Sequence, residues 1–211
     1  MSVPTPPSLP RSGILCVVSG PSGCGKTTLC RAASTIEGTA YTVSATTRPA
    51  RPGEVDGVDY HFLSEGEFHE RVQRGEFLEW ATVYGRHYGT LRSEVVPRLE
   101  RGEDVLMDLD TQGAAMLRDI SEPLIRAAHF DVFILPPTLD ELRRRLAGRH
   151  SDSPDAQERR FASAMAEMKH WQSYTYALLS DSRENDLARF RQLLAAERLK
   201  THRMTGLAFP I

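Results

Sequence analysis

Cysteine is scarce in this 211-residue chain: Cys16, Cys24 and Cys30 are all there is, bunched in the first thirty positions. So few, so close, they exclude a disulfide framework, and no histidine stands at metal-ligand spacing from them; a reducing, cytoplasmic setting is expected. An excess of charge of one sign is also missing. The 26 Lys and Arg against 28 Asp and Glu leave a net −2, whereas a chain that tracks a nucleic-acid backbone carries a basic surplus. No nucleic-acid partner is expected. Nowhere do about 18 uncharged apolar residues follow one another, and no basic segment leads into an apolar one, so neither a membrane partner nor export is expected. The chain opens instead with "MSVPTPPSLPRSG", whose prolines at 4, 6, 7 and 10 predict an extended or disordered leader over residues 1–12. With 40% hydrophobic residues, the remainder, 13–211, can bury one good core with small inserted lobes.

What the chain has in plenty, locally, is glycine. "SGPSGCGKTT", residues 19–28, follows an apolar run from Ile14 to Ser19 and precedes a predicted helix over Lys26 to Glu37. Glycines remove Cβ atoms, so successive backbone N–H groups can curl around one small anion. Gly20, Gly25, Lys26 and Thr27 occupy the fixed positions of the phosphate-binding P-loop, in which the lysine reaches the β/γ-phosphates and the hydroxyl holds Mg²⁺. Pro21, Ser22, Gly23, Cys24 and Thr28 complete the expected ATP-binding loop. A thiol at a helix N-terminus can have a lowered pKa, so Cys24 is a candidate for oxidation.

Apolar runs recur at Asp104 to Asp110 and Asp131 to Leu135, separated by segments long enough for helices; this is the α/β pattern of a parallel sheet. Between Thr42 and Thr90 the texture changes to short alternating stretches broken by Pro49, Pro52, Gly53 and Gly57, which predicts an inserted, mainly β lobe. Ser64 with Glu67 makes a capping box, Gly75 suits the far end of that helix, and Thr138 with Glu141 repeats the device. Ser153 and Pro154 suit the start of another helix, whose Phe161, Ala164, Met165, Met168 and Trp171 recur at helical spacing and read as packing surface.

Asp108 and Asp110 close the strand "DVLMDLD" two positions apart, so both are expected on one face at its carboxyl end, where open α/β sheets bind ligands. With Thr27 they are candidates to hold Mg²⁺, directly or through water; the alternative is that either merely caps the next helix. Ser44, Arg48, Arg51 and Tyr60 offer guanidinium and hydroxyl donors suited to phosphate oxygens. Residues 143–160 hold six arginines against three acids, a local positive field that the net charge hides. None of the seven histidines stands at metal-ligand spacing with other ligand types, and surface or packing roles are expected for them.

Five blocks, "SGPSGCGKTT", "VSATTRPARPGEVDGVDYHF", "GEFLEWATVYGRHYGT", "VLMDLDTQGA" and "FILPPTLDELRRRLAGR", stand in the order and spacing of guanylate kinase, and the resemblance covers about residues 14 to 165. It implies a P-loop three-layer α/β/α core with a parallel sheet (13–42, 93–136 and 169–211), a GMP-binding lobe (43–92) and a helical lid (137–168). It implies transfer of the ATP γ-phosphoryl group to GMP, and to dGMP, within purine nucleotide metabolism, with Mg²⁺ as cofactor. Ser44, Arg48, Arg51, Tyr60 and Tyr88 would grip the GMP phosphate, Glu79 and Thr90 would meet the guanine edge, and Asp108 would stand near substrate and magnesium. Lys26, Arg48, Arg149 and Arg160 would be catalytic, while Arg143 to Arg145 belong to a solvated helix face. Ser180 stands where this family often has an adenine-side asparagine. Two alternatives stay open, a non-catalytic guanylate-kinase-like module that binds phosphorylated peptides and a small-molecule kinase for a sugar phosphate. The intact Lys26 and Thr27 disfavour the first, and Glu79 and Thr90 beside Tyr88 the second.

Overall fold

A computed structural model describes residues 10–83, 85–147 and 154–206. The apolar run ahead of the glycines forms β1 (Leu15–Ser19), and α1 (Lys26–Ala33) begins where they end. This helix stops short of the expected Glu37, where the hydroxyls of Ser34 and Thr35 turn back to donate to the carbonyls of Arg31 and Ala32, a local bond that competes with helix continuation. The chain continues through β2 (Thr39–Tyr41), β3 (Ala45–Thr46), β4 (His61–Phe62), α2 (Glu65–Gln73), β5 (Phe77–Val83), β6 (Arg86–Leu91) and α3 (Arg92–Glu100). Then come β7 (Asp104–Asp108), α4 (Thr111–Arg118), α5 (Pro123–Ala128), β8 (His129–Leu135), α6 (Leu139–Ala147), α7 (Pro154–Met168), β9 (Tyr176–Leu179) and α8 (Arg183–Arg198).

Five strands form one parallel sheet in the order β2-β7-β1-β8-β9. Because successive strand side chains point to opposite faces, β1 divides its apolar residues between two layers. Cys16 and Val18 pack with Leu29, Cys30 and Ala33 of α1 and with Phe190 and Leu194 of α8. Leu15 and Val17 pack with Val95 and Leu99 of α3, Leu117 of α4 and Ile125 of α5. Burying such side chains is worth about 1.5–3 kcal/mol each for the larger ones. The result is the three-layer α/β/α core, with the carboxyl ends of β1 and β7 emerging together.

The shorter strands form a second sheet, ordered β4-β3-β6-β5, antiparallel at both contacts of β6. One face carries Phe68 stacked on Phe77 at 4.4 Å, with Leu91 and Ala45 beside them. α2 opens with the expected capping box between Ser64 and Glu67. Of the second expected box only one half forms, the Glu141 N–H donating to Thr138 Oγ1 at 3.1 Å, while the Glu141 carboxylate accepts from Arg144 and Arg145. α6 and α7 make a small core of their own from Leu142, Leu146 and Ala164, with Phe161 and Met168 against it. Trp171 departs from that stripe: α7 ends at Met168, and Trp171, in the turn beyond, is 41% exposed.

The proline-rich start is anchored further toward its beginning than expected. Arg11 bridges Met204, the Ser12 N–H donates to the Arg203 carbonyl, and Arg11 pairs at 2.5 Å with the fully buried Asp104. Arg198 holds the other oxygen of Asp104 at 2.6 Å, so two guanidiniums flank a carboxylate that burial would otherwise penalise. Residues 1–9 of the expected leader, and Ser153, lie outside the described residues. No helix among the described residues is long and apolar enough to cross a membrane.

Candidate active site

Between β1 and α1 the chain runs through backbone angles that only glycine adopts freely. Gly20 has φ 142°, and a Cβ there would stand 2.5 Å from the Ile134 carbonyl oxygen; Gly25, at the helix start, has φ 99°. No side chain caps α1, so its first-turn N–H groups and dipole are left for an anion. Lys26 folds back across the loop, its Nζ donating to the carbonyls of Gly20 at 2.6 Å and Pro21 at 3.1 Å. The loop thus holds its cation over its own backbone.

Thr27 Oγ1 donates to one oxygen of Asp108 and the Tyr41 hydroxyl to the other, both at 2.5 Å. Tyr41 is a site residue that sequence reasoning missed. Its placement comes from the pairing of β2 with β7, which sets Tyr41 opposite Leu106, and nothing local announces that pairing. Asp110 corrects an expectation. β7 ends at Asp108, Leu109 turns inward to 8% exposure, and Asp110 instead caps α4 by accepting from the Gly113 N–H at 2.8 Å. The two aspartates therefore do not project side by side from one strand face, and Thr27 with Asp108 is the oxygen pair that could hold a hard cation.

A cavity of about 330 Å³ lies between the sheets, lined by Ser44, Tyr60, Glu79, Tyr88 and both Asp108 and Asp110 among others. Arg48 stands beside it, 5.3 Å from the Tyr60 ring centroid, and forks onto Glu54 at 2.8 and 2.9 Å. Arg51 is exposed, and its backbone N–H donates to the same Glu54 carboxylate at 2.7 Å. Arg31 of α1 reaches Asp59 at 2.7 Å, tying core to lobe at the cavity wall. Neither this pair nor Glu54 was anticipated from the sequence.

Glu79 and Thr90 face each other across β5 and β6, 4% and 0% exposed. Glu79 Oε1 and Thr90 Oγ1 have no hydrogen-bond partner. Leaving such a group buried and unpaired costs about 1–3 kcal/mol, so the pair is poised for a ligand that satisfies both. Gly113 permits the approach of α4: a Cβ there would be 2.9 Å from Glu79 Oε2. Burial pushes the Glu79 carboxyl from its ordinary 4.5 up to about 7; Thr90, close enough to favour the charged form though not in a well-aligned bond, offsets only part of this, and the Asp110 charge adds to the rise. The folded chain holds this proton more tightly than the unfolded one, so the stability it contributes is complete below the unfolded value and is lost as pH rises through the folded value. Urea unfolding of Glu79→Gln against the parent should reveal a relative gain for the variant of about 3 kcal/mol between roughly pH 4 and pH 8. A pH-independent difference would mean that the carboxyl titrates normally.

A second cavity of about 370 Å³ adjoins the other side of the P-loop, lined by Gly25, Thr28, Leu29, Arg145, Ser180 and Asp186 among others. Ser180, 3% exposed, donates to Asp186 at 2.8 Å. Over this loop leans α6: a Cβ on Gly23 would touch Leu146 at 3.3 Å.

The guanylate kinase family model matches residues 12–197. This chain belongs to the guanylate kinase family. It is 46% identical to a guanylate kinase of Novosphingobium aromaticivorans over 95% of its own length and 89% of that protein's. With one of Paramagnetospirillum magneticum it shares 45% over 96% and 94% of the two chains. The crystal structure of guanylate kinase from Anaplasma phagocytophilum superimposes with a TM-score of 0.77 at 32% identity, covering 95% of this chain and 94% of that one.

Within this guanylate kinase fold the arginines expected in a lid over 137–168 divide. Arg144 and Arg145 both bind Glu141, at 2.6 and 2.7 Å, and Arg143 lies 4.0 Å over the Phe161 ring, so these three serve helix faces, with Arg145 also lining the second cavity. Arg160 is half-buried on α7, and Arg149 lies outside the described residues. Glu167 of α7, near Ser22 and Lys26 on the edge of a further cavity, has its carboxyl raised by burial against the pull of Lys26. Cys24 departs from the redox expectation. It is 2% exposed, and burial raises its thiol pKa despite nearby Lys26 and a backbone bond, which disfavours the reactive thiolate.

Proposed function

We propose that this guanylate kinase transfers the γ-phosphoryl group of ATP to GMP, and to dGMP, giving ADP and the corresponding diphosphate in a cytoplasmic setting. The observation that carries the acceptor assignment is the buried, unpartnered pair of Glu79 Oε1 and Thr90 Oγ1. Guanine offers N1–H and N2–H₂ donors to the carboxylate and an O6 acceptor to the hydroxyl, so one base satisfies both groups. Ser44, Arg48, Arg51, Tyr60 and Tyr88, all within the lobe at 43–92, are assigned to the GMP phosphate. The P-loop from Gly20 to Thr28 is assigned to the ATP phosphates, and the cavity at Ser180 to the donor base.

The reaction brings two polyanions together and spreads charge over the transferring group, so positioned cations are the main catalytic requirement. Lys26 supplies one from the loop, and Arg149 and Arg160 of the lid at 137–168 are assigned as others. Thr27 and Asp108 form an all-oxygen donor pair that suits Mg²⁺, which when bound would neutralise charge between the phosphates. The GMP phosphate oxygen already carries negative charge, so it attacks in line once held, without a protein nucleophile.

Phosphorylation assays with MgATP across GMP, dGMP, AMP, CMP, UMP and ribose phosphates should give turnover with the two guanine nucleotides alone. Comparable turnover of AMP or of a sugar phosphate would sink the assignment. Arg48→Ala should weaken GMP by about 10- to 150-fold, the loss of roughly 1.5–3 kcal/mol from a charge-assisted fork, and leave guanosine binding unchanged. An equal loss for guanosine and GMP, measured by calorimetry, would move Arg48 away from the phosphate.

A further inference from the structure

On the face of the lobe sheet away from the nucleotide cavity, three side chains of ligand type converge. Glu65 and His69 stand one turn apart on α2, and His87 joins them from β6; one ligand atom from each lies within 4.8 Å of the others. His87 Nε2 is 3.3 Å from Glu65 Oε2, and the two imidazole rings are 5.0 Å apart. This corrects the expectation that no histidine stands at metal-ligand spacing: Glu65 and His69 are i, i+4 on one helix, but the third member comes from eighteen residues further along, and only the packing of α2 against the sheet unites them. Strand alternation puts Tyr88 and Thr90 on the substrate side and His87 on this one.

We propose that Glu65, His69 and His87 bind one divalent ion of the zinc class, which clips α2 to β6. Two imidazoles and a carboxylate suit zinc and its late-transition neighbours, whereas magnesium and calcium take oxygen donors. Three protein ligands leave a fourth tetrahedral position for water. Ligand bonds of about 2.0–2.1 Å set neighbouring ligand atoms about 3.3 Å apart in a tetrahedron. The His87–Glu65 separation already matches. The remaining closure falls to exposed side chains, for Glu65 is 53% exposed and His69 is also exposed.

His87 is the fixed point. Its ring stacks on Phe68 at 5.3 Å and meets Trp80 edge-on at 5.9 Å. Its N–H donates to Thr47 Oγ1, and its carbonyl accepts from the Thr46 hydroxyl and the Thr47 N–H. Thr82 Oγ1 lies 3.0 Å from His87 Nδ1. With the Nδ1 proton donated there, Nε2 turns a lone pair toward Glu65, the outer-shell arrangement that metal-bound histidines use. Arg86 approaches the second Glu65 oxygen only at 3.8 Å and is itself 47% exposed, a weak competitor for the carboxylate.

The test uses the full chain, stripped of metal and titrated with Zn²⁺ against a chromophoric chelator, then with Co²⁺ to read ligand type from its absorption. One ion per chain should bind, weakened at least about 10-fold in both His69→Ala and Glu65→Gln. Zn²⁺ should raise the melting temperature of the parent and not of His69→Ala, since only a chain that binds the ion gains by mass action. Both variants alter exposed positions, so their metal-free melting and their turnover should match the parent. Equal zinc affinity in parent and variants, no saturable uptake, or a thiolate-to-cobalt charge-transfer band would each overturn the site. None of these results depends on the nucleotide assignment.

Discussion

Lys26→Ala should cut kcat by about 10²- to 10³-fold while GMP affinity stays within about 2-fold of the parent, because the lost charge acts on the transferring group and not on the acceptor. Lys26 Nζ sits over the carbonyls of Gly20 and Pro21 and is not among the residues lining the cavity proposed to take GMP. Its neighbour Thr27 bonds Asp108 and stays in place in the variant. Turnover by a coupled assay and GMP binding by calorimetry separate the two effects. Near-parental kcat would remove Lys26 from the phosphoryl path, and a matching collapse of GMP binding would indicate a misfolded loop.

The parent should prefer GMP to AMP by about 10⁴-fold in kcat/KM, and Glu79→Gln should lose most of that ratio. Adenine presents a lone pair at N1, which would face the carboxylate, and it lacks the N2–H₂ donor, so an ionised Glu79 would lose both partners that guanine supplies while the Thr90 hydroxyl would have to turn from donor to acceptor. The glutamine amide retains one acceptor but sets a donor against a guanine donor. Proton linkage gives an independent readout. The free carboxyl, raised to about 7 by burial, gains two guanine donors that favour its charged form, so its pKa falls on binding. GMP affinity should therefore rise as pH climbs toward 7, level off above it, and lose that dependence in Glu79→Gln. Calorimetry in buffers of different ionisation enthalpy should detect about half a proton released per GMP near neutral pH. An unchanged base ratio in the variant, or binding without proton release, would leave Glu79 as a merely buried strand residue.

Where a feature is built from neighbours in sequence, it could be read from the residues. The P-loop is ten consecutive positions between a buried strand and a helix, and the Ser64–Glu67 cap spans one turn. The guanine role proposed for Glu79 and Thr90 came to the sequence reading only through the family resemblance, because alternation assigns a face and not a function. β9, four residues between turns, and β2, three residues, carry too little pattern to stand out, although each pairs in the parallel sheet. α8 is longer, but its charged positions obscure the buried Phe190 and Leu194. Tyr41 and the Arg31–Asp59 pair were missed for a related reason, since each acquires its place from long-range pairing; Glu54 meets Arg48 only six residues away, within a turn-rich stretch that has no periodic pattern to single it out. For Asp110 the alternative of a helix cap is realised, because the end of β7 is set by the cap that Asp110 itself provides.

The fork between Arg48 and Glu54 bears on how acceptor phosphate is captured. A long guanidinium side chain free in solvent would lose rotamer entropy when an anion arrives. Arg48 has given up much of that freedom at folding, held at two nitrogens by Glu54 and flanked by the Tyr60 and Phe62 rings. Its place is thus kept by an internal counterion, which also disfavours stray anions that cannot outcompete a carboxylate at close range. A phosphate that is positioned at the same time by its base meets a cation already immobilised. On the proposed assignment of Arg48 to the GMP phosphate, discrimination between GMP and free phosphate would arise from tethering, since one end of the ligand raises the effective concentration of the other.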